Sequence, residues 1–375
     1  MYPSVRLYYP GGKVGSFGAL AEGYLHAFNA LGVEHAAFDY NFAPDEDGFP
    51  FGGSTHDIGL YVGEPTHLEL MSMHARHKVR YVVLAPNGYG IPAWVVKGCK
   101  SYDVTPLAPS AWASEVLAKQ FGHPVEVAPH GVHVQPADWD GPDSAETILG
   151  WAKLIERGVA PLRLLHVTSA SSDRKGTLTL LRAMDEEGLC DMVELRIKCD
   201  PLVAPRLQDI VSDMPDRCRR RIYIDTENYP NDGRYHAFLR GWDAVIQPSR
   251  AEGFGMVPLE AASIGLPSVL TCNTGHEDFI LDIWSHVVQE EEVKDEEAVG
   301  WTVGWLGLAS IPGEPFPVRP LSARSIAVAV RELRANLVRD MQKAIDIAPQ
   351  VREKWAWKKV VDTWLTSKAG FASRT

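Results

Sequence analysis

Short apolar runs of strand length alternate along this chain with segments whose apolar residues recur at helical spacing. That alternation limits the fold to parallel sheets joined by crossover helices, an α/β class. Residues 5–9 read as a strand and Pro10-Gly11-Gly12-Lys13-Val14-Gly15-Ser16 as a glycine-rich turn. Phe17, Leu20, Ala21, Tyr24, Leu25, Phe28 and Leu31 then line one helix face, which Gly32 ends. Residues 33–40 follow as a strand and 41–55 as a polar loop. Residues 58–62, 79–84 and 125–128 read as buried strands, with helices at 68–77 and 111–121 between them. The stretch 135–144, rich in Pro, Asp and Gly, marks a boundary.

A second alternating series begins there. Strands are expected at 162–167, 193–198, 221–224, 244–247 and 267–270, and helices at 176–187, 206–214, 235–240 and 258–264. Residues 322–365 read as mostly helical. Two similar α/β halves result, and open parallel sheets bind ligands at the carboxyl ends of their strands.

A length of 375 residues suits two domains, and 45% apolar with 23% charged residues excludes a disordered chain. No apolar run approaches the roughly 20 residues of a membrane span. Residues 1–6 lead straight into a strand with no signal peptide. The five cysteines, Cys99, Cys190, Cys199, Cys218 and Cys272, are scattered and contain no Cys-x-x-Cys pair, so neither a disulfide framework nor a zinc site is expected. The expected localisation is cytoplasmic. The net charge of −11 counts against a dedicated nucleic-acid binder. Two basic stretches, 74–80 and 217–221, are read as solvated turns before strands, with a local nucleic-acid patch as the alternative.

The densest constellation is Gln247-Pro248-Ser249-Arg250-Ala251-Glu252-Gly253-Phe254-Gly255-Met256-Val257-Pro258-Leu259-Glu260-Ala261. A strand ends in a loop, a Gly-x-Gly turn opens a helix, and two carboxylates eight residues apart flank the turn. The glycines let backbone N–H groups approach a ligand, and the helix N-terminus favours an anion. Both carboxylates suit sugar hydroxyls as acceptors. An ordinary strand–turn–helix with surface glutamates is the alternative.

This segment resembles the E-x7-E motif of retaining glycosyltransferases of the GT-B fold, in particular glycosyltransferase family 4. The resemblance extends in order along the chain: Gly11-Gly12, Ala128-Pro129-His130-Gly131-Val132, Arg174-Lys175-Gly176, Thr274-Gly275-x-Glu277 and Trp355-x-Trp357. It implies two Rossmann-like parallel-sheet domains facing across a cleft, spanning 1–135 on the acceptor side and 136–350 on the nucleotide-sugar side, with a C-terminal helix at 351–375 crossing back.

The implied donor-binding residues are Gly12, Glu252, Gly253, Phe254, Gly255 and Glu260, with Glu260 holding the ribose hydroxyls and Glu252 beside the donor sugar. Lys175 resembles the basic residue on the diphosphate, and with Arg174 and Glu252 forms the expected catalytic set. The family often carries an arginine about six residues before this lysine. That position is Ser169 here, and Arg174 is its candidate replacement. The family histidine near the reacting carbon is also missing, leaving Glu64 and Asn87 as acceptor-side candidates, with a strand-end carboxylate and a turn residue as their plainer readings. His130 is read as packing the interdomain linker.

The implied activity moves a sugar, with retention, from a nucleotide-diphosphate donor such as a UDP- or GDP-sugar to a glycan, lipid-linked or small-molecule acceptor. No cofactor or metal is expected: Asp45-Glu46-Asp47 and Asp138-Trp139-Asp140 have D-x-D spacing but no buried strand directly before them. G-x-x-x-x-G-K-[ST] is absent, and the first loop lacks G-x-G-x-x-G. The alternatives are a phage-type DNA glycosyltransferase acting on a hydroxymethylated base and a sugar-nucleotide-binding protein with a dead site.

Overall fold

The computed structural model describes residues 2–9, 16–39, 56–63, 65, 67–86, 90–133, 145–168, 174–229, 234–289, 299–300, 316–317 and 321–372. The chain divides into two compact units. One comprises Met1–Pro86, Gly90–Val134 and Glu353–Thr375, and the other Asn87–Tyr89 and Gln135–Arg352.

The first unit is built on strands β1 (Val5–Tyr9), β2 (His35–Asp39), β3 (Ile58–Val62), β4 (Val79–Val83), β5 (Thr105–Ala108) and β6 (Glu126–Val127). They form one parallel sheet in the order β2-β1-β3-β4-β5-β6. Strands β1 and β3 are buried along their whole length, as their near-continuous apolar runs require of a sheet covered on both faces. Helices α1 (Ser16–Leu31), α2 (His67–Arg76), α3 (Ala93–Ser101) and α4 (Ala111–Phe121) make the crossovers. Ser110 caps α4 by accepting from the Ala113 amide at 3.1 Å, and Gly122 ends it in the left-handed region.

The sequence reading departs from this unit in two places. It has neither α3 nor β5, and it treats residues 125–128 as a buried strand. Strand β6 is instead a two-residue edge strand with Val127 37% exposed. Helix α13 (Trp357–Ala372) packs on α1, where Gly23 gives the Trp357 indole its room: a Cβ on Gly23 would lie 2.1 Å from the ring.

The second unit carries β7 (Leu162–Val167), β8 (Val193–Lys198), β9 (Ile222–Asp225), β10 (Ala244–Gln247), β11 (Ser268–Thr271) and β12 (Ser285–Val288). The parallel order is β12-β11-β10-β7-β8-β9. Helices α5 (Ala145–Glu156), α6 (Thr177–Glu186), α7 (Ala204–Ser212), α8 (Asp216–Arg219), α9 (Arg234–Arg240), α10 (Met256–Ser263) and α11 (Ala323–Ala335) surround the sheet. Helix α12 (Leu337–Trp355), with Pro349 in its interior, runs across the division between the units. A minor antiparallel pair joins β13 (Val299–Gly300) and β14 (Phe316–Pro317).

The strand order reverses direction between β7 and β10. Such a switch point opens a crevice outside the carboxyl ends of the two neighbouring strands. The adjacency of β7 and β10 therefore marks the place where a sheet of this order would take a ligand.

One expectation fails outright. Cys190 and Cys218 form a disulfide, which the absence of a Cys-x-x-Cys spacing had argued against. The two are 28 residues apart in sequence, and β8 and α7 intervene. The fold brings the 3-10 turn Leu189–Asp191 against α8, a proximity no local spacing reveals.

Candidate active site

The loops following β7, β10 and β11 meet at the switch point. Gly176, at φ +71°, precedes α6 with no space for a side chain: a Cβ there would sit 2.1 Å from the Pro248 carbonyl oxygen. This close approach draws the β7 loop onto the β10 loop. The Arg250 amide donates to the Arg174 carbonyl at 2.8 Å, and Arg174 Nη1 donates to the Ala251 carbonyl at 2.8 Å. Behind them His166 Nδ1 donates to the Ile246 carbonyl, and its Nε2 lies 2.9 Å from Thr177 Oγ1, tying α6 to the sheet.

Lys175 Nζ pairs with Glu252 Oε2, and Arg174 Nη1 lies 3.6 Å from the same oxygen. The side chains of Arg174, Lys175 and Glu252 are 11%, 17% and 13% exposed, so this is a largely buried charge cluster with two cations on one carboxylate. Burial alone would raise the Glu252 pKa, but Lys175 and then Arg174 outweigh it and hold the carboxyl down at about 2. The Ser249 hydroxyl approaches Glu252 Oε2 at 3.4 Å.

The backbone of Glu252 is fixed by the third loop. Its amide donates to Thr274 Oγ1 at 2.9 Å, and its carbonyl accepts from the Gly275 amide at 2.7 Å. Thr274 itself is held at φ +58°, a left-handed conformation uncommon for a β-branched residue. Gly275 has no alternative at its position, because a Cβ would come within 2.6 Å of the Gly253 and Phe254 backbone.

The turn Gly253-Phe254-Gly255 leads into α10, with Gly255 at φ +93° in the cap position. Phe254 is 2% exposed and its ring rests on Phe279 at 5.4 Å, so its side chain anchors the turn. Glu260 lies on α10, 6% exposed. Its partner is the Tyr235 hydroxyl rather than a cation. Burial therefore dominates and raises the Glu260 pKa to about 7, with the Tyr235 bond opposing. The two glutamates of one motif thus sit in opposite electrostatic environments.

The structure brings Arg174, Lys175, Glu252 and the Gly253–Gly255 backbone together, with Glu260 one helix turn further along. Gly12, Glu64, Asn87 and Ser169 lie outside the described residues, as do both D-x-D segments. Among the described residues no group of His, Cys, Asp and Glu side chains is arranged to hold a metal ion. His130 is 3% exposed beside Trp357, and burial pushes it down to about 3, in keeping with a packing role.

The first basic stretch is partly buried, and three arginines of the second form surface ion pairs. Arg80 is 9% exposed and binds Asp103, His77 is buried, and Arg217, Arg219 and Arg221 pair with Asp185, Asp216 and Glu194. Two residues escaped the sequence reading. Tyr235 reaches Glu260 from another helix, which no spacing reveals. His276 is the unnamed position in the Thr-Gly-x-Glu run and is fully buried under Gly255.

A family model described as family 4 glycosyltransferase in conflict systems matches residues 179–364, a span that includes Glu252 and Glu260. No curated protein matches the chain in sequence. Among solved structures, HepE of Anabaena in complex with UDP-glucose is similar at TM-score 0.63 and 10% identity, with 98% of this chain and 100% of that chain covered. Sucrose-phosphate synthase from Thermosynechococcus elongatus is similar at TM-score 0.64 and 13% identity, with 99% of each chain covered. The catalytic domain of starch synthase IV from Arabidopsis thaliana, bound to ADP and acarbose, is similar at TM-score 0.61 and 10% identity, with 100% of this chain and 99% of that chain covered. At these identities the likeness speaks for the fold, and the family match adds the chemistry. Together they make this chain a family-4-like glycosyltransferase of the GT-B fold.

Proposed function

We propose that the chain transfers a sugar, with retention of anomeric configuration, from a nucleotide-diphosphate donor to a glycan, lipid-linked or small-molecule acceptor, and that it does so without a metal or other cofactor. One observation carries this reading. Two cations, Arg174 and Lys175, converge on Glu252 at the β7/β10 switch point, beside a glycine turn that leads into the N-terminus of α10. Negative charge grows on a diphosphate as the sugar–phosphate bond breaks, and fixed cations stabilise that charge in the transition state. A nucleotide sugar fits the chemistry of all three groups: diphosphate on Lys175 and Arg174, sugar hydroxyls on Glu252, and ribose hydroxyls on Glu260. The UDP-glucose bound by HepE and the ADP bound by starch synthase IV support this class of donor.

Retention follows if the acceptor attacks on the face the phosphate leaves, with a phosphate oxygen accepting the acceptor's proton. No protein base is then required. The second unit holds the donor, and the first is assigned to the acceptor. The test is a mass-spectrometric screen of nucleotide sugars for hydrolysis and transfer, followed by proton NMR of the product's anomeric position. Hydrolysis of one nucleotide sugar with an unchanged anomeric configuration is the expected result. Inversion would overturn the retaining mechanism, and inertness towards every nucleotide sugar would overturn the donor class.

A further inference from the structure

His276 is a buried imidazole for which the charge cluster has no use as it stands. It is 0% exposed. Its Nδ1 donates to the Thr271 carbonyl at 3.0 Å, which fixes the tautomer and leaves Nε2 as a bare acceptor. Nε2 is buried and has no hydrogen-bond partner. A buried polar atom without a partner is rare enough in a native protein to require a reason.

Its position supplies one. A Cβ built on Gly255 would lie 2.5 Å from His276 Nε2 and 3.3 Å from Glu252 Cγ. The imidazole and the Glu252 side chain therefore border the same small space, kept open because residue 255 is glycine. The backbone links them as well, through the Thr274 and Gly275 bonds to Glu252.

The donor reading creates a difficulty for Glu252. Its carboxylate is 13% exposed and is neutralised by Lys175 and Arg174. A diphosphate that takes those cations strands a buried negative charge, which is strongly unfavourable unless another partner replaces them. We propose that His276 is a positioning residue that takes up a proton from solvent on Nε2 and becomes the partner of Glu252 when a donor diphosphate draws Lys175 and Arg174 away. The step is a proton transfer only: Nδ1–H stays on the Thr271 carbonyl, the new Nε2–H donates to the Glu252 carboxylate, and no other bond changes.

The charged groups that act on His276 fit this role. Glu252, from the β10 loop, favours the imidazolium, while Lys175, from the β7 loop, disfavours it. Burial is the largest influence and disfavours the imidazolium in the unliganded protein. Movement of Lys175 onto a diphosphate leaves the field of Glu252 acting on the ring. This inference rests on the donor reading of the preceding subsection.

The experiment is calorimetric titration of the full chain with UDP-glucose, GDP-mannose and ADP-glucose at about pH 6.5. Each titration is run in buffers of different ionisation enthalpy, so that the protons exchanged on binding are counted. For the nucleotide sugar that binds, the wild type takes up about half a proton or more beyond His276→Gln. Glu260 titrates near this pH but contributes alike to both proteins, so the difference isolates His276. Equal proton counts in the two proteins overturn the proposal.

His276→Asn serves as a second variant where glutamine perturbs folding. In wild type labelled at histidine carbons, the His276 Cε1 resonance moves to its imidazolium position on saturation with donor, and an unmoved resonance overturns the proposal without any variant. No binding of any of the three nucleotide sugars by the wild type overturns the donor reading itself, a different result from equal proton counts.

Discussion

Glu252 and Glu260 are eight residues apart in one motif, yet the protein treats them as different acids. Glu252 is held down at about 2 by two cations despite its burial, and Glu260 is raised to about 7 by burial with only a tyrosine hydroxyl for company. The consequences for stability have opposite signs. Above its ordinary value of 4.5 the ionised Glu252 stabilises the folded state, and that contribution is lost as pH falls towards 2. Between 4.5 and about 7 Glu260 keeps its proton in the folded chain and loses it in the unfolded one, so its contribution declines as pH rises. Thermal unfolding of Glu260→Gln against wild type should therefore show the variant gaining relative stability from pH 4.5 to 7.5, by on the order of 3 kcal/mol. A constant difference across that range would mean that Glu260 is not buried without a cation. The same residue should matter to the ligand. Glu260→Ala removes the proposed acceptor for ribose hydroxyls and should weaken donor binding by roughly 1.5–3 kcal/mol, about tenfold or more, read by calorimetry. The spacing of the glutamates was legible in the sequence. Their environments were not, because Tyr235 and His276 reach them through the fold.

At the scale of elements, the site depends on three loops pressed together where side chains do not fit. Gly176→Ala places a methyl group against the Pro248 carbonyl at a positive φ, so the β7 and β10 loops must part. The expected result is a variant that folds with a lowered Tm and loses most donor affinity; unchanged affinity would show that the loop junction does not position Lys175. The disulfide between Cys190 and Cys218 pins the turn before β8 to α8. Closing a loop of this length should be worth about 3–4 kcal/mol. Cys218→Ser should lower Tm, and a reductant should lower the wild-type Tm towards the variant's while leaving the variant unchanged.

Most elements were legible as alternating periods, since long apolar strands and amphipathic helices declare themselves. Two of those that were missed break a local rule. Strand β5 contains Pro106, which demotes a strand on sequence grounds, and it survives by pairing between β4 and β6. Helix α3 is nine residues long and carries Gly98 in its interior, and tertiary contacts stabilise it more than propensity does.

At the scale of the whole molecule, two parallel sheets of six strands provide the scaffold, and the strand order of the second places its switch point between β7 and β10. The net charge of −11 and the pairing of Arg80, Arg217, Arg219 and Arg221 with carboxylates count against a polyanion as partner. No helix of the described residues is long and apolar enough to cross a membrane. On the proposed reading, Lys175 and Arg174 would supply the charge stabilisation that a divalent ion supplies in other transferases. Activity should therefore persist in excess EDTA, and activity abolished by EDTA and restored by magnesium or manganese would refute the metal-free reading. The central claim is that the cations at the β7/β10 switch point stabilise a departing nucleoside diphosphate. It is tested most directly by measuring turnover and donor affinity side by side for wild type and Lys175→Ala, with Arg174→Ala beside them, on the nucleotide sugar that the wild type turns over. The account predicts that Lys175→Ala lowers kcat by roughly a hundredfold or more while donor Kd changes by less than about tenfold; equal losses in both, or an unchanged kcat, would contradict it.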